Sequence, residues 1–261
     1  MNFELLCSMK SNLKYVIIGL AIVFSAWLLG RAYTYKYRSL DTVVVTGLGE
    51  TEFASDLIVW SGEIVVETQD VASGYAQLER NKQKVLEFIT SRGVAAEQLN
   101  PPGVPVKQVV FKFVNVHKQS EPVYNASGNY AGQRFTGYRL SQGFSIESSE
   151  VDKVENISRE ISALIAQGVS IEAYQPSYYY TKLDDVKLSL IEQASADARA
   201  RAEKIAENAG TAIGRVASAK MGVFQITGAN SNEEFSAGGS FNTTSRQKKA
   251  RITMKVEYRV K

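Results

Sequence analysis

Residues 54–93, ASDLIVWSGEIVVETQDVASGYAQLERNKQKVLEFITSRG, change their apolar period half-way along, and that change decides the fold class. In Ala54 to Thr68, the residues Ile58, Trp60, Ile64 and Val66 stand on one face of an extended chain, and Glu63 and Glu67 mark the wetter face. Gly62 interrupts the apolar row and is expected to bend or bulge the strand. From Asp70 the period becomes helical. Its carboxylate can cap a helix over 71–92 that carries Val71, Tyr75, Leu78, Val85 and Ile89, and Gly93 supplies the stop.

Working outward, the alternation repeats. Upstream, Thr42 to Gly49 is a β-branched run ending in glycines, read as a short strand and turn. Downstream, Asn100-Pro101-Pro102-Gly103 is a loop signal, and Val106 to Lys118 is a strand with Val109, Phe111 and Phe113 on one side. The polar stretch Gln119 to Gln133 connects it to a strand at Phe135–Glu147. Ser149 with Asp152 reads as a capping box for a helix bearing Val151, Val154, Ile157, Ile161 and Leu164, which stops at Gly168. Val169 to Thr181 is a strand whose Tyr178, Tyr179 and Tyr180 put aromatic rings on both faces.

The order strand, helix, strand, strand, helix, strand predicts an α+β fold with a ferredoxin-like βαββαβ sheet, helices packed on one face. A long helix follows, about Asp184 to Ala209, with Val186, Leu190, Ala194, Ala198, Ala202 and Ala206 in one stripe. Strands at Val216–Thr227 and Lys248–Val260 complete the chain as a C-terminal hairpin. Gly228 to Ser245, rich in Gly, Ser and Asn, is expected to be a mobile loop between them.

Ahead of all this, Tyr15 to Gly30 (YVIIGLAIVFSAWLLG) holds no charge and is flanked by Lys14 and Arg31. As a helix it rises about 24 Å, somewhat short of a ~30 Å hydrocarbon core, and the flanking basic side chains can snorkel across the deficit. Tyr33, Tyr35 and Tyr37 suit an interfacial aromatic belt. The expected layout is a tail 1–14, a transmembrane signal-anchor helix 15–31, a linker 32–41 and one domain 42–261. The competing reading is a cleaved signal, with Gly30-Arg31-Ala32 before a cut at Tyr33. Basic residues on both sides (Lys10 and Lys14 against Arg31, Lys36 and Arg38) leave the orientation open.

Charge excludes one class of partner. The net charge is +3, but residues 1–40 alone carry five basic side chains against Glu4. That leaves 25 basic and 26 acidic residues beyond them, a balance with no footprint for nucleic acid. The lone cysteine, Cys7, precedes the apolar run, so the folded part has neither a disulfide framework nor a thiolate metal site.

Several residues set in this order resemble the SIMPL-domain family. They are Val43-Val44-Val45-Thr46-Gly47-x-Gly49, Asp56, Ala76 and Asn81 on the first helix, Gly93, Gly137-Tyr138 and Gly168-Val169. The series ends with Ala194, Ala198, Ala202, Ala206 and Gly210 spaced by four. The resemblance covers about 42–260. It implies a secreted or envelope protein of a group that assembles into large oligomers, some ring- or channel-like and some linked to oxidative-stress defence. One eukaryotic branch is similar to adaptors that bind a signalling kinase. The family has no shared active site to carry over, and the anchor of this chain departs from the simple secreted form.

Individual residues offer little chemistry. His117, the only histidine, has no nucleophile or carboxylate at a recognised spacing. Asp184-Asp185 is the best carboxylate pair, and a helix start explains it through capping and the macrodipole. Gly47-x-Gly49 lacks the third glycine and the following helix of a dinucleotide turn. Asn125, Asn156 and Asn242 head Asn-x-Ser/Thr triplets that matter only where glycosylation occurs.

The expectation is therefore a membrane-anchored, non-enzymatic protein, with no catalytic, metal or cofactor residue, that self-associates with its domain in the periplasm or otherwise outside the cytoplasm. Tyr174, Tyr178, Tyr179, Tyr180, Ala194, Ala198, Ala202 and Ala206 are the candidate contact surface. The alternative is a small-ligand or peptide-binding module with its pocket between the sheet and the 228–245 loop, and behind that a hydrolase built on His117.

Overall fold

The computed structural model describes every residue except 1–2, 39–40, 96, 101–103 and 235, and side chains except those of 1–16, 35–40, 96–107 and 235. It is a mixed α+β structure with four α-helices and two five-stranded sheets among the described residues. Contacts divide the chain into two compact units. The larger holds 51–188 and 224–251; the smaller holds 1–50, 189–223 and 252–261.

The first element of the smaller unit is helix α1, Phe3–Arg38, longer at both ends than the apolar run suggested. Its stretch Ile17–Thr34 has a mean hydropathy of 1.6 and is 0% buried, so it is long and apolar enough to cross a membrane. Ile18, Leu20, Val23, Phe24, Trp27 and Leu29 all face outward. The expectation for Cys7 and for Tyr35 and Tyr37 falls on side chains outside those described.

The rest of this unit is built on β1 (Thr42–Ala54), whose first part alternates, with Val45, Gly47 and Gly49 buried. The end of β12 (Gln247–Val260) is its neighbour, and β9 (Ile213–Met221) pairs antiparallel with β12 from Met254 to Val260.

In the larger unit β2 (Leu57–Thr68) lies mid-sheet. It is flanked by β6 (Tyr130–Ser148) on one side and by β7 (Ser170–Ala173) and β8 (Ser177–Tyr179) on the other, all antiparallel. Outermost is β5 (Val109–Tyr124), giving the order β5-β6-β2-β7. Helices α2 (Val71–Ser91) and α3 (Val151–Glu160), the latter continued by a 3-10 segment Ile161–Gln167, pack on this sheet. Much of the predicted core is present on both layers: Ile58, Trp60, Ile64 and Val66 meet Leu78, Val85 and Ile89, with Val154, Ile157, Ile161 and Leu164 beside them. Asp70 caps α2 by accepting from Ser73 N at 2.8 Å, which also lowers its carboxyl pKa.

Several expectations are corrected. Gly62 makes no bulge, since β2 and β6 stay in register from Ile58 to Thr68. The glycine instead admits the Phe144 ring, because an added Cβ would lie 2.7 Å from the ring's Cζ. Val71 and Tyr75 are exposed, and Gly74, Asn81 and Phe88 take the buried positions on α2. A register shift between Phe111 and Val114 turns Phe113 out to 77% exposure and Val114 in. The Ser149–Asp152 box does not form: Glu150 is the N-cap without a side-chain bond. Asp152 instead accepts from Arg246 Nη1 at 2.6 Å.

The predicted strand 169–181 is split at Tyr174–Pro176, where proline has no N–H for the ladder; Trp60 Nε1 donates to Tyr174 O at 2.9 Å across the break. The expected strand 216–227 is likewise two, β9 and β10 (Gln225–Gly228). Asn100 ends the short strand β3 (Glu97–Asn100), which pairs antiparallel with β4 (Val104–Lys107), and the rest of the Pro-Pro-Gly signal lies outside the described residues.

Candidate contact surface

Small side chains let a neighbour approach a helix closely, and in the smaller unit one does. Helix α4 (Leu183–Asn208) packs Leu190, Ala194, Ala198, Ala202 and Ala206 inward, and the four alanines are 0% exposed. Against Ala194 and Ala198 lies Gly47 of β1. A Cβ there would sit 2.0 Å from Ala194 O and 2.5 Å from Ala198 N, and one on Gly49 would sit 2.2 Å from Leu190 O. Asp197 fastens the same contact by accepting from Leu48 N at 2.8 Å, and Arg201 Nε lies 2.9 Å from the same oxygen, Oδ2. The Leu48 N–H and then Arg201 lower its carboxyl pKa. The alanine stripe is thus consumed within the chain and is not a surface for partners.

The tyrosines divide. Tyr178 is 7% exposed and belongs to the core, where burial and the Glu155 carboxylate push its phenol up. Tyr174 is half in solvent at 51%, while Tyr179 and Tyr180 are half-buried, the first near Phe241 and the second 4.7 Å from Phe53 between ring centres. Only Tyr174, Tyr179 and Tyr180 of the eight expected residues remain available to a partner.

A surface absent from the sequence reading is larger. β2 borders β6 only as far as Tyr138, and beyond it Gln119–Tyr124 and Tyr130–Gly137 pair with each other alone. The predicted connecting loop is therefore a two-stranded ribbon. Asn125 forms its tip, its Oδ1 accepting from Ser127 N and Asn129 N. Tyr124 and Tyr130 are 60% and 61% exposed, and Val123 and Phe135 are also open. The signals were present: Val123-Tyr124 and Tyr130 bracketing an Asn125…Gly128-Asn129 turn. They were masked by the polar residues that a two-sided solvated ribbon carries.

The described residues of 228–245 are tied to the sheet at several points. β11 (Ser240–Phe241) pairs parallel with β10, and Tyr178 N donates to Thr243 O at 2.7 Å. Where the pocket was expected, Lys248 fills the loop. It is 1% exposed, and its Nζ donates to Asn242 O and Ser245 O at 2.6 and 2.7 Å. Glu233 holds Gly228 N at 3.2 Å and also accepts from the Asn242 amide. Burial pushes the Lys248 ammonium down to about 8, with Glu233 opposing.

His117 is exposed mid-way along β5, opposite Arg139, and Asp184 accepts from Lys187 at 2.9 Å. Among the described residues, neither is brought beside a nucleophile or a further carboxylate.

A family model, SIMPL, described as "Protein of unknown function (DUF541)", matches residues 43–260. The chain belongs to the SIMPL family. No curated protein matches it. The SIMPL residues quoted from the sequence do structural work in this chain. Gly47 and Gly49 set the β1–α4 contact. Asp56 accepts from Thr181 N and Oγ1 at 2.7 and 2.6 Å. Gly168 takes φ +77 to close the helical segment, and Val169 N then returns to Leu164 O.

Proposed function

We propose that this SIMPL chain is a membrane-anchored, non-enzymatic envelope protein, its domain outside the cytoplasm, that works by assembling with copies of itself and other proteins, with oxidative-stress protection as the family-implied role. The observation that carries the reading is the ribbon of β5 and β6. A two-stranded hairpin is marginal alone in water, and this one presents Val123, Tyr124, Tyr130 and Phe135 to solvent. Contiguous exposed apolar side chains mark interaction sites. The order β5-β6-β2-β7 also supports reading the larger unit as ferredoxin-like, a split βαβ arrangement that leaves the ribbon free of a covering layer.

The test is sizing in mild detergent over a range of concentrations, with wild type beside V123S/Y124S/Y130S/F135S. Wild type is expected to sediment as an oligomer and the fourfold variant as a monomer with an unchanged melting temperature. A wild type that stays monomeric throughout sinks the assembly reading. For the anchor, the exposed apolar stretch Ile17–Thr34 is the support. N-terminal sequencing of protein from the membrane fraction is expected to begin near Met1, and a start at Tyr33 would replace the anchor with a cleaved signal.

A further inference from the structure

One cavity of about 200 Å³ lies in the smaller unit, lined by Val44 of β1, Ser218 and Lys220 of β9, and Lys255 and Glu257 of β12. It is smaller than the ~300 Å³ and upward typical of sites for drug-sized ligands. We propose that it is a binding site for a phosphate-class anion, supplied by the headgroup of an anionic lipid or by free phosphate.

The strand register makes the case. Lys220 and Lys255 are direct cross-strand partners, as are Ser218 and Glu257 in the next rung but one. Like charges directly opposite on a sheet repel, and no ion pair involves either lysine among the described residues. An anion between the two ammonium groups turns that repulsion into two charge-assisted contacts, with the Ser218 hydroxyl as a third donor. Glu257 leaves the lining with a net charge of +1, which favours a singly or doubly charged group over a polyanion. The surroundings share the sign. Segments 211–223 and 252–261 carry Arg215, Lys220, Lys255, Arg259 and Lys261 against Glu257 alone, although the chain beyond residue 40 is close to neutral. The excess is local to these strands, since the smaller unit beyond residue 40 carries eight basic side chains against seven acidic ones.

That unit also carries the apolar helix, and the lipid source rests on the anchored reading. From Thr34 to Arg38, α1 rises about 6 Å at 1.5 Å per residue. The six residues on to Val44 add at most ~20 Å when extended. Val44 thus lies within about 26 Å of the end of the apolar stretch, and each lysine adds its own side-chain reach. That span lets the lysines reach an anionic membrane surface, whose attraction for basic residues acts within about a Debye length.

The experiment uses the full chain and reads the acetylation rate of Lys220 and Lys255 by peptide mass, with Lys187 and Lys204 as internal references. In neutral detergent, inorganic phosphate at about ten times its Kd is expected to slow both sites about tenfold against a chloride control of equal ionic strength. K220Q is expected to abolish the protection of Lys255. In the second arm, vesicles of phosphatidylcholine with phosphatidylglycerol are compared, without phosphate, with phosphatidylcholine alone. Slowing by both phosphate and the anionic vesicles assigns the site to lipid headgroups; slowing by phosphate only assigns it to free phosphate. Absence of phosphate protection overturns the proposal, even where anionic vesicles slow acetylation, since that would be general surface attraction. Because the detergent arm does not need the membrane, its outcome is independent of whether the anchor holds.

Discussion

Gly47→Ala is expected to destabilise the protein by about 3 kcal/mol or more, or to prevent the smaller unit from folding. The added methyl would lie 2.0 Å from Ala194 O, 2.5 Å from Ala198 N and 2.8 Å from Ala198 Cβ. Two of those three atoms are backbone, so no rotamer change relieves the contact. Either β1 moves from α4, which strands the buried Val45 and the four alanines in a gap, or α4 bends and loses the Asp197–Leu48 bond. Overpacking usually costs 1–3 kcal/mol, and a backbone obstacle puts this case at or above the upper end. Gly238→Ala is the control: its nearest neighbour is Ser236 Oγ at 3.8 Å, and its backbone is not left-handed. A surface change of that kind stays within about 0.5 kcal/mol. Urea unfolding of both variants in mild detergent decides, and a Gly47→Ala midpoint equal to wild type would show that the close approach does not exist in solution.

The second large effect is one of pH, and it comes from Lys248. Its pKa falls from 10.5 in the unfolded chain to about 8 in the folded one, because the ammonium is buried. Between those values the unfolded chain holds a proton that the folded chain has released, so stability rises with pH across the window. The contribution is complete above 10.5 and is lost as pH falls through 8. At one pKa unit to 1.36 kcal/mol, the swing is about 3 kcal/mol. Lys248→Met keeps the aliphatic packing but removes the titration and the donors to Asn242 O and Ser245 O. The difference in unfolding free energy, wild type minus Lys248→Met, is expected to grow by about 2–3 kcal/mol from pH 7.5 to 10.5. Taking the difference removes what the rest of the chain contributes in both proteins. A flat difference would mean that the two carbonyls hold the ammonium against its burial, and that the loop is pinned by a charge at every pH.

These two sites differ in how far the sequence exposed them. Gly47-x-Gly49 and the alanines spaced by four were each visible, and each was a motif of small residues wanting a close neighbour. Their connection was not visible, because nothing local says that two elements some 150 residues apart are each other's neighbour. The alanines were accordingly assigned to a partner protein. Lys248 passed as the first residue of a strand, since a lysine in sequence is a surface residue until a fold buries it. The same limit produced the reading of 119–133 as a loop. Its residues are polar because neither face of the ribbon is covered, and a periodicity argument needs one covered face to register.

Read alone, the amino-acid order determined which faces are apolar: the β2 row with Ile58 and Trp60, the helical stripes of α2 and α3, and the uncharged stretch after Lys14. These are properties of local period and of transfer from water, and both act over a few residues at a time. Only the tertiary structure decided what each face meets: Gly47 beneath α4, Phe144 over Gly62, Lys248 inside its loop, and Tyr124 and Tyr130 left exposed on the ribbon. Burial drives a face out of water without naming its partner. That choice is made by shape, by hydrogen bonds and by strand pairing between residues far apart along the chain.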